Sequence, residues 1–108
     1  DYCGVKSGRD VDKFKEMKLT PLKAKEVKAP LIQESPVNLE CRVREILPLG
    51  SHHMFLADVV AVHADEKYMD EKHKFHLEKA EPIVYSHGAY LACGEQIGTF
   101  GYSVKKKG

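Results

Sequence analysis

The sequence predicts a mainly β fold of antiparallel strands that form a barrel or a curled sheet, with one short α-helix near the N-terminus. The first observation is a period-two pattern in residues 37–44, where apolar and polar side chains alternate. The second is a run rich in Val and Ala from Met54 to His63, and the third is the turn sequence of residues 48–51 between the two runs. Because a βαβ sheet needs a helical crossover between its strands, a short turn at this point predicts an antiparallel hairpin.

The helix is predicted within residues 7–18, where Val11 and Phe14 are spaced as one helical face. Asp10 has a side chain suited to the N-cap position. The Thr20-Pro21 step ends the helix, because the residue before a proline disfavours helical geometry.

In the strand that begins at Val37, we expect the apolar face to be buried and the polar face to be exposed to water. The alternation slips by one residue at Glu45, which predicts a bulge at a bend in the strand. The rest of the chain is predicted to contain a loop with one or two short edge strands in residues 22–36, a charged and solvated excursion in residues 64–81, and short strands at Pro82–Tyr85 and Tyr90–Cys93.

Composition is that of an ordinary globular protein, with 43% hydrophobic and 31% charged residues among 108. That length predicts one unit, residues 1–108. The net charge of +1 provides no general attraction to nucleic acid or to an acidic membrane, and no apolar run is long enough to cross a bilayer. We therefore expect a soluble, cytoplasmic protein. Since the chain starts without Met and a helical pattern follows within ten residues, we also expect it to be part of a longer domain.

Metal and hydrolase chemistry have little support in the sequence. The three cysteines are widely spaced without a C-x-x-C pair, which favours reduced thiols. No serine or cysteine has the context of an activated nucleophile. One loose set of metal-ligand types remains, but histidines on a solvated face are a common alternative for it: His73, His76, Glu71 and Glu78.

An anion-binding segment is suggested by Ser7-Gly8-Arg9-Asp10 just before the helix. A hydroxyl, a guanidinium and the free N–H groups of a helix start together suit a phosphate. Lys13 lies one helical turn from Asp10, so its ammonium is within reach of the same anion. The alternative is an ordinary Ser-Gly turn with a capping aspartate and a solvated lysine.

Two further turns contain histidine or tyrosine side chains. Gly50-Ser51-His52-His53 places two imidazoles at the end of the hairpin, and only one of them faces a given site because adjacent strand residues point to opposite sides. The segment from Tyr85 to Tyr90 has a composition suited to contact with a flat heterocycle, or to packing of tyrosines at a barrel rim.

Taken together, these segments resemble the flavoredoxin branch of the flavin-reductase-like family. The resemblance covers almost the whole chain, with the motifs in order and in register. It rests on residues 1–14, Pro-Val-Asn-Leu-Glu-Cys at 36–41, Gly-Ser-His-His-Met-Phe at 50–55, Ala-Val-His at 61–63, Tyr-Ser-His-Gly at 85–88, and Gly-Thr-Phe-Gly-Tyr-Ser at 98–103.

The resemblance implies a split β-barrel that dimerises and binds FMN near the subunit interface, with the opening strands of the barrel preceding the segment seen here. This chain would then be the C-terminal portion of one flavin-reductase-like domain. Lys13 matches the lysine of the family's Asp-Lys-Phe motif, and His52 matches the histidine of its Gly-Asp/Ser-His motif. Both are flavin-contacting positions in relatives. Tyr85 matches an aromatic position near the flavin, and Ser7 and Arg9 join Lys13 on the phosphate side.

The implied chemistry is hydride or electron transfer by FMN, which requires no catalytic side chain. One hypothesis is an enzyme that reduces its flavin with NAD(P)H, based on His52. This chain departs from the motif of many reductases, because it reads Gly50-Ser51-His52 where they read Gly-Asp-His, and this difference bears on its use of nicotinamide. A second hypothesis is an FMN electron carrier with a redox protein partner. A third is a pure interaction module that uses the lysine-rich helix and tail.

Overall fold

The computed structural model describes residues 1–106, and Lys107 and Gly108 lie outside the described range. The chain divides into two compact units, Asp1–Phe75 and the residues from His76 onward. The elements are mainly antiparallel strands with a few short helices, as the sequence predicts. Within the described residues, no helix combines the length and the hydropathy needed to cross a membrane.

The first unit begins with two helices of one turn each, where the sequence predicts a single helix. The first, α1, spans Tyr2–Val5, and the second, α2, spans Lys13–Glu16. The predicted N-cap is wrong: Asp12 caps α2, since its carboxylate accepts a hydrogen bond of 3.2 Å from the Lys15 amide. The amide of Asp10 instead donates to the carbonyl of Ser7 in a preceding turn, 3.1 Å away. That turn delays the start of the helix.

Two short strands follow, β1 at Pro21–Leu22 and β2 at Leu31–Ile32, and they pair antiparallel as predicted. Two side chains fix this pair in place. The carboxylate of Glu34 accepts from the amide and the hydroxyl of Thr20, each at 2.8 Å, and these bonds lower the pKa of Glu34. The side-chain amide of Asn38 exchanges two hydrogen bonds of 3.0 Å with the backbone of Ile32. Thr20, just before β1, is therefore connected to Glu34, and β2 is connected to Asn38.

The predicted hairpin is the largest feature of the first unit. Strand β3 spans Val37–Pro48, strand β4 spans His53–Ala64, and they pair antiparallel from Val37 opposite Ala64 to Pro48 opposite His53. The pairing shifts between Val43 and Glu45, which confirms the predicted bulge, and shifts again between Glu40 and Cys41. At the turn Gly50 has a φ of +94°, a conformation that favours glycine.

The predicted burial of β3 is wrong. Leu39 and Val43 on its apolar face are 56% and 51% exposed, so the described part of the chain does not bury them. Glu40, on the face predicted to be wet, is only 2% exposed. The physical reason is that the loop before β3 folds over the polar face, where hydrogen bonds to a carboxylate replace apolar packing.

The charged segment after the hairpin contains a 3₁₀ turn at Glu66–Tyr68 and an isolated bridge between Met69 and Phe75. The second unit has a 3₁₀ turn at Leu77–Ala80, and a further one at Tyr102–Val104. Its hairpin also agrees with the sequence within one residue at each end. It pairs β5, Ile83–Ser86, with β6, Ala89–Ala92. The two turn residues between them, His87 and Gly88, have φ values of 52° and 82°, which suit a two-residue turn between twisted strands.

Candidate functional site

The segment that precedes α2 is a tight turn organised by Ser7. The Ser7 hydroxyl oxygen accepts from the Arg9 amide at 3.1 Å, and the Ser7 carbonyl accepts from the amides of Asp10 and Val11 at 3.1 and 3.2 Å. A Cβ added to Gly8 would meet nothing within 4 Å, so the space beside this glycine is open. The turn is therefore a fixed backbone with an accessible outer surface.

Arg9 and Lys13 lie on one open depression, the phosphate-side depression, which is lined by residues 8–14. Lys13 is half-buried, and its ammonium donates a hydrogen bond to the carbonyl of Cys3 in α1. That bond fixes the start of α2 against α1 and leaves two further N–H donors on the ammonium. Two aspartates also line the depression, and one of them, Asp12, is engaged by the Lys15 amide. The structure thus places Arg9 and Lys13 on one depression, and Ser7 directly precedes its first lining residue.

The contribution of helix-start amides to anion binding stays a prediction. The amides of Asp10 and Val11 already donate to Ser7, and the amide of Lys15 donates to Asp12. Moreover, α2 has only four residues, so its dipole is small. An anion in this depression would be held mainly by the side chains of Arg9 and Lys13, for which a phosphate has matching charge and several acceptor oxygens.

His52 lies in the exposed turn between β3 and β4. Its Nδ1 atom is 2.8 Å from the hydroxyl oxygen of Ser51, so Nε2 is the nitrogen left to face another molecule. His53 is already the first residue of β4, opposite Pro48. Among the hydrogen bonds of the described residues, none joins His52 to Ser7, Arg9 or Lys13.

Tyr85 belongs to the second unit, on β5. Tyr85 is 63% exposed, and its ring meets the ring of Tyr90 edge to face, with the centroids 5.1 Å apart. The pair shows the tyrosine packing that the sequence allowed, and it leaves an open aromatic surface. Within the described residues, no three side chains of the metal-ligating types come together, and His76 instead lies 2.7 Å from a carboxylate oxygen of Glu78.

Sequence reasoning missed Glu40, the most buried polar side chain of the described residues. Its carboxylate accepts from the amides of Lys25, Glu26 and Val27 at 2.9, 2.6 and 3.1 Å, and it also contacts Nε2 of His63. Burial by itself raises the pKa of Glu40, but these hydrogen bonds outweigh it and lower the pKa to about 2. The only signal in the sequence is an acidic residue on the polar face of a strand, preceded by a loop whose backbone amides have no strand partner.

The fold and the site define a class: an antiparallel β domain with a cationic, solvent-facing depression and an imidazole-bearing turn. The chain belongs to the family described as flavin reductase like domain, whose model matches residues 1–94. The fold class is therefore confirmed as that of the flavin reductase-like split barrels, although the described strands do not close into a barrel.

Solved structures and relatives agree with this assignment. The chain is similar to the flavoredoxin of Desulfovibrio vulgaris (Miyazaki F), with 27% identity and a TM-score of 0.84 over 97% of this chain and 57% of the flavoredoxin. It is similar to a flavoredoxin from Methanosarcina acetivorans, with 31% identity, a TM-score of 0.81 and the same coverage. An uncharacterized protein of Aquifex aeolicus (strain VF5) is 31% identical over 81 residues, which is 75% of this chain and 41% of that protein. The chain thus spans about half the length of its relatives.

Proposed function

We propose that the protein binds FMN and transfers electrons through it, and that Ser7, Arg9 and Lys13 hold the phosphate. The observation that carries the proposal is the phosphate-side depression, where Arg9 and Lys13 lie together in a chain of the flavin reductase-like family. A guanidinium and an ammonium provide charge-assisted hydrogen bonds to a phosphate. The similarity to two flavoredoxins supports the same cofactor class.

In this proposal the protein positions the cofactor, and FMN supplies the redox chemistry. The bond from Lys13 to the Cys3 carbonyl holds the ammonium in place before the phosphate arrives, which reduces the entropic cost of binding. His52 presents Nε2 to the ring system, and the adjacent Ser51 hydroxyl orients its imidazole. Tyr85, in the second unit, has an exposed aromatic surface of a kind that suits contact with a flat ring.

We propose NAD(P)H as the electron source, with a carrier that exchanges electrons with a protein partner as the second candidate. His52 favours the first, since an exposed imidazole at a turn is accessible to a second substrate. The similarity to flavoredoxins and the serine at position 51 favour the second.

We further propose that residues 1–108 are the C-terminal portion of one domain that works as a cytoplasmic homodimer. The exposed apolar face of the β3–β4 hairpin supports this arrangement, because side chains such as Leu39 and Val43 need a cover. In the complete assembly, other strands or a second subunit would provide it.

The test of the cofactor is a visible absorption spectrum of the protein expressed at full length, followed under anaerobic conditions with NADH and NADPH. Yellow protein that either nicotinamide bleaches supports the reductase. Yellow protein that only a reduced protein donor bleaches supports the carrier. Colourless protein that takes up no added FMN would overturn both and leave the interaction module.

Replacing His52 by alanine is expected to slow the bleaching by NAD(P)H about tenfold, because the loss of one hydrogen bond of about 1.4 kcal/mol changes a rate by that factor. The measurement is the rate of absorbance loss after anaerobic mixing. His53→Ala is the matched control, since this neighbouring imidazole is also exposed and lies in β4. Equal rates in the two variants would remove His52 from the site.

A further inference from the structure

The loop of residues 23–28, called the lysine loop, is held rigidly on the polar face of β3. Three consecutive amides, those of Lys25, Glu26 and Val27, donate to the one carboxylate of Glu40. Such a group of converging N–H donors is a typical anion-binding arrangement, and here an internal carboxylate fills it. The backbone is therefore fixed without help from the lysine side chains.

The lysine loop presents cations that have no acidic partner. Lys23, Lys25 and Lys28 are exposed, and no ion pair of the described residues includes them. The buried carboxylate of Glu40 adds one negative charge beneath the loop, but its hydrogen bonds within the described residues come from backbone amides and His63 and not from the three lysine side chains.

A fourth cation joins the loop from the neighbouring strand. The guanidinium of Arg42, also exposed, donates to the Glu26 carbonyl at 3.3 Å, a contact that does not neutralise its charge. Asp58, opposite Arg42 in the hairpin, pairs with Arg44 at 3.4 Å. With Glu26 and the buried Glu40 counted, the loop, Arg42 and Glu40 carry a formal charge of +2, while the whole chain carries +1. This surface is thus basic, whereas the remaining residues together carry a formal charge of −1.

We propose that the lysine loop and Arg42 form the docking surface for an acidic redox protein that exchanges electrons with the flavin. The proposal rests on the proposed function and names the partner class for it. Fixed like charges repel one another, and a complementary acidic surface relieves that repulsion while it accelerates encounter. Brief electron-transfer complexes have small interfaces, which a surface of four cations suits.

A nucleic acid or a membrane fits these observations less well. A continuous polyanion needs a long track of cations, and here Glu26 lies between Lys25 and Lys28. The weak net charge of the chain also gives no general attraction to such surfaces. Retention of the protein on heparin or on anionic vesicles, with no effect of the lysines on electron transfer, would overturn the proposal.

The test uses the full-length, FMN-loaded protein and a reduced plant-type ferredoxin as the acidic probe. The second-order rate constant of flavin reduction is measured by anaerobic stopped flow between ionic strengths of about 0.01 M and about 1 M, which shortens the Debye length from about 30 to about 3 Å. The wild-type rate is expected to fall steeply with salt. The triple variant Lys23→Gln, Lys25→Gln, Lys28→Gln is expected to react about tenfold more slowly at low salt, with a shallower salt dependence. Its amides still reach Glu40, so the loop keeps its shape.

The matched control replaces Lys72, Lys74 and Lys79 by glutamine, which makes the same change in net charge at other exposed positions. It is expected to keep the wild-type rate within about twofold. Equal losses in both triple variants, an unchanged rate in the loop variant, or no reaction of the wild-type protein with the ferredoxin would overturn the docking surface. A protein that takes up no FMN overturns the proposed function instead, so the two failures are distinguishable.

Discussion

Replacing Lys13 by alanine is expected to raise the Kd for FMN about 10- to 100-fold, which corresponds to the loss of one charge-assisted hydrogen bond of about 1.5–3 kcal/mol. The reason is the place of Lys13 on the phosphate-side depression, where its ammonium is already oriented by the Cys3 carbonyl. The measurement is a fluorescence titration of the apoprotein with FMN. Titration with riboflavin, which has no phosphate, should show little difference between the variant and the wild type.

Lys15→Ala is the matched control for that experiment. Lys15 lies on the same short helix but is exposed and does not line the depression. Thermal unfolding of both variants separates a loss of phosphate binding from a loss of the contact between α2 and α1. An FMN affinity that Lys13→Ala leaves unchanged would remove this residue from the phosphate site.

Local patterns account for the parts of the fold that the sequence predicts well. The limits of both hairpins follow from period-two runs and from turn residues such as Gly50 and Gly88, which act within a few positions along the chain. Arg9 and Lys13 line one depression, but the backbone of residues 9–12 is a turn and an extended segment, so the helical spacing assumed from the sequence is not the reason. The cap of α2 was mispredicted because two aspartates compete, and the turn around Ser7 engages the amide of the first.

Burial could not be predicted, since it depends on contacts between distant residues. The partners of Glu40 lie 13 to 15 residues earlier in the chain, and His63 lies 23 residues later. In a period-two strand an acidic residue is expected to face water, and only the folded loop shows that three amides replace the water. The same limit applies to His52, whose relation to the phosphate-side depression is not encoded in any local pattern.

Glu40→Gln is expected to lower the midpoint of thermal unfolding at pH 7 by several degrees. An ionised carboxylate accepts four hydrogen bonds here, whereas a neutral carboxamide has one acceptor oxygen and adds two N–H donors that face other donors. The lysine loop should loosen as well, which hydrogen exchange at the amides of residues 25–27 would detect. Glu45→Gln, an exposed carboxylate on the same strand, is the matched control.

The change in the free energy of unfolding with pH tests the same carboxylate, and its direction follows from the pKa of Glu40. The pKa of Glu40 in the folded protein is about 2, below the ordinary value of 4.5, so folding stabilises the ionised carboxylate relative to the protonated one. Its contribution to the free energy of unfolding is therefore complete above pH 4.5 and decreases as the pH falls towards 2. Wild-type protein should lose stability across that interval more steeply than Glu40→Gln, while Glu45→Gln should follow the wild type. Parallel curves for all three proteins would show that the loop does not depend on the charge of Glu40, and an exchange-protected loop in Glu40→Gln would lead to the same conclusion.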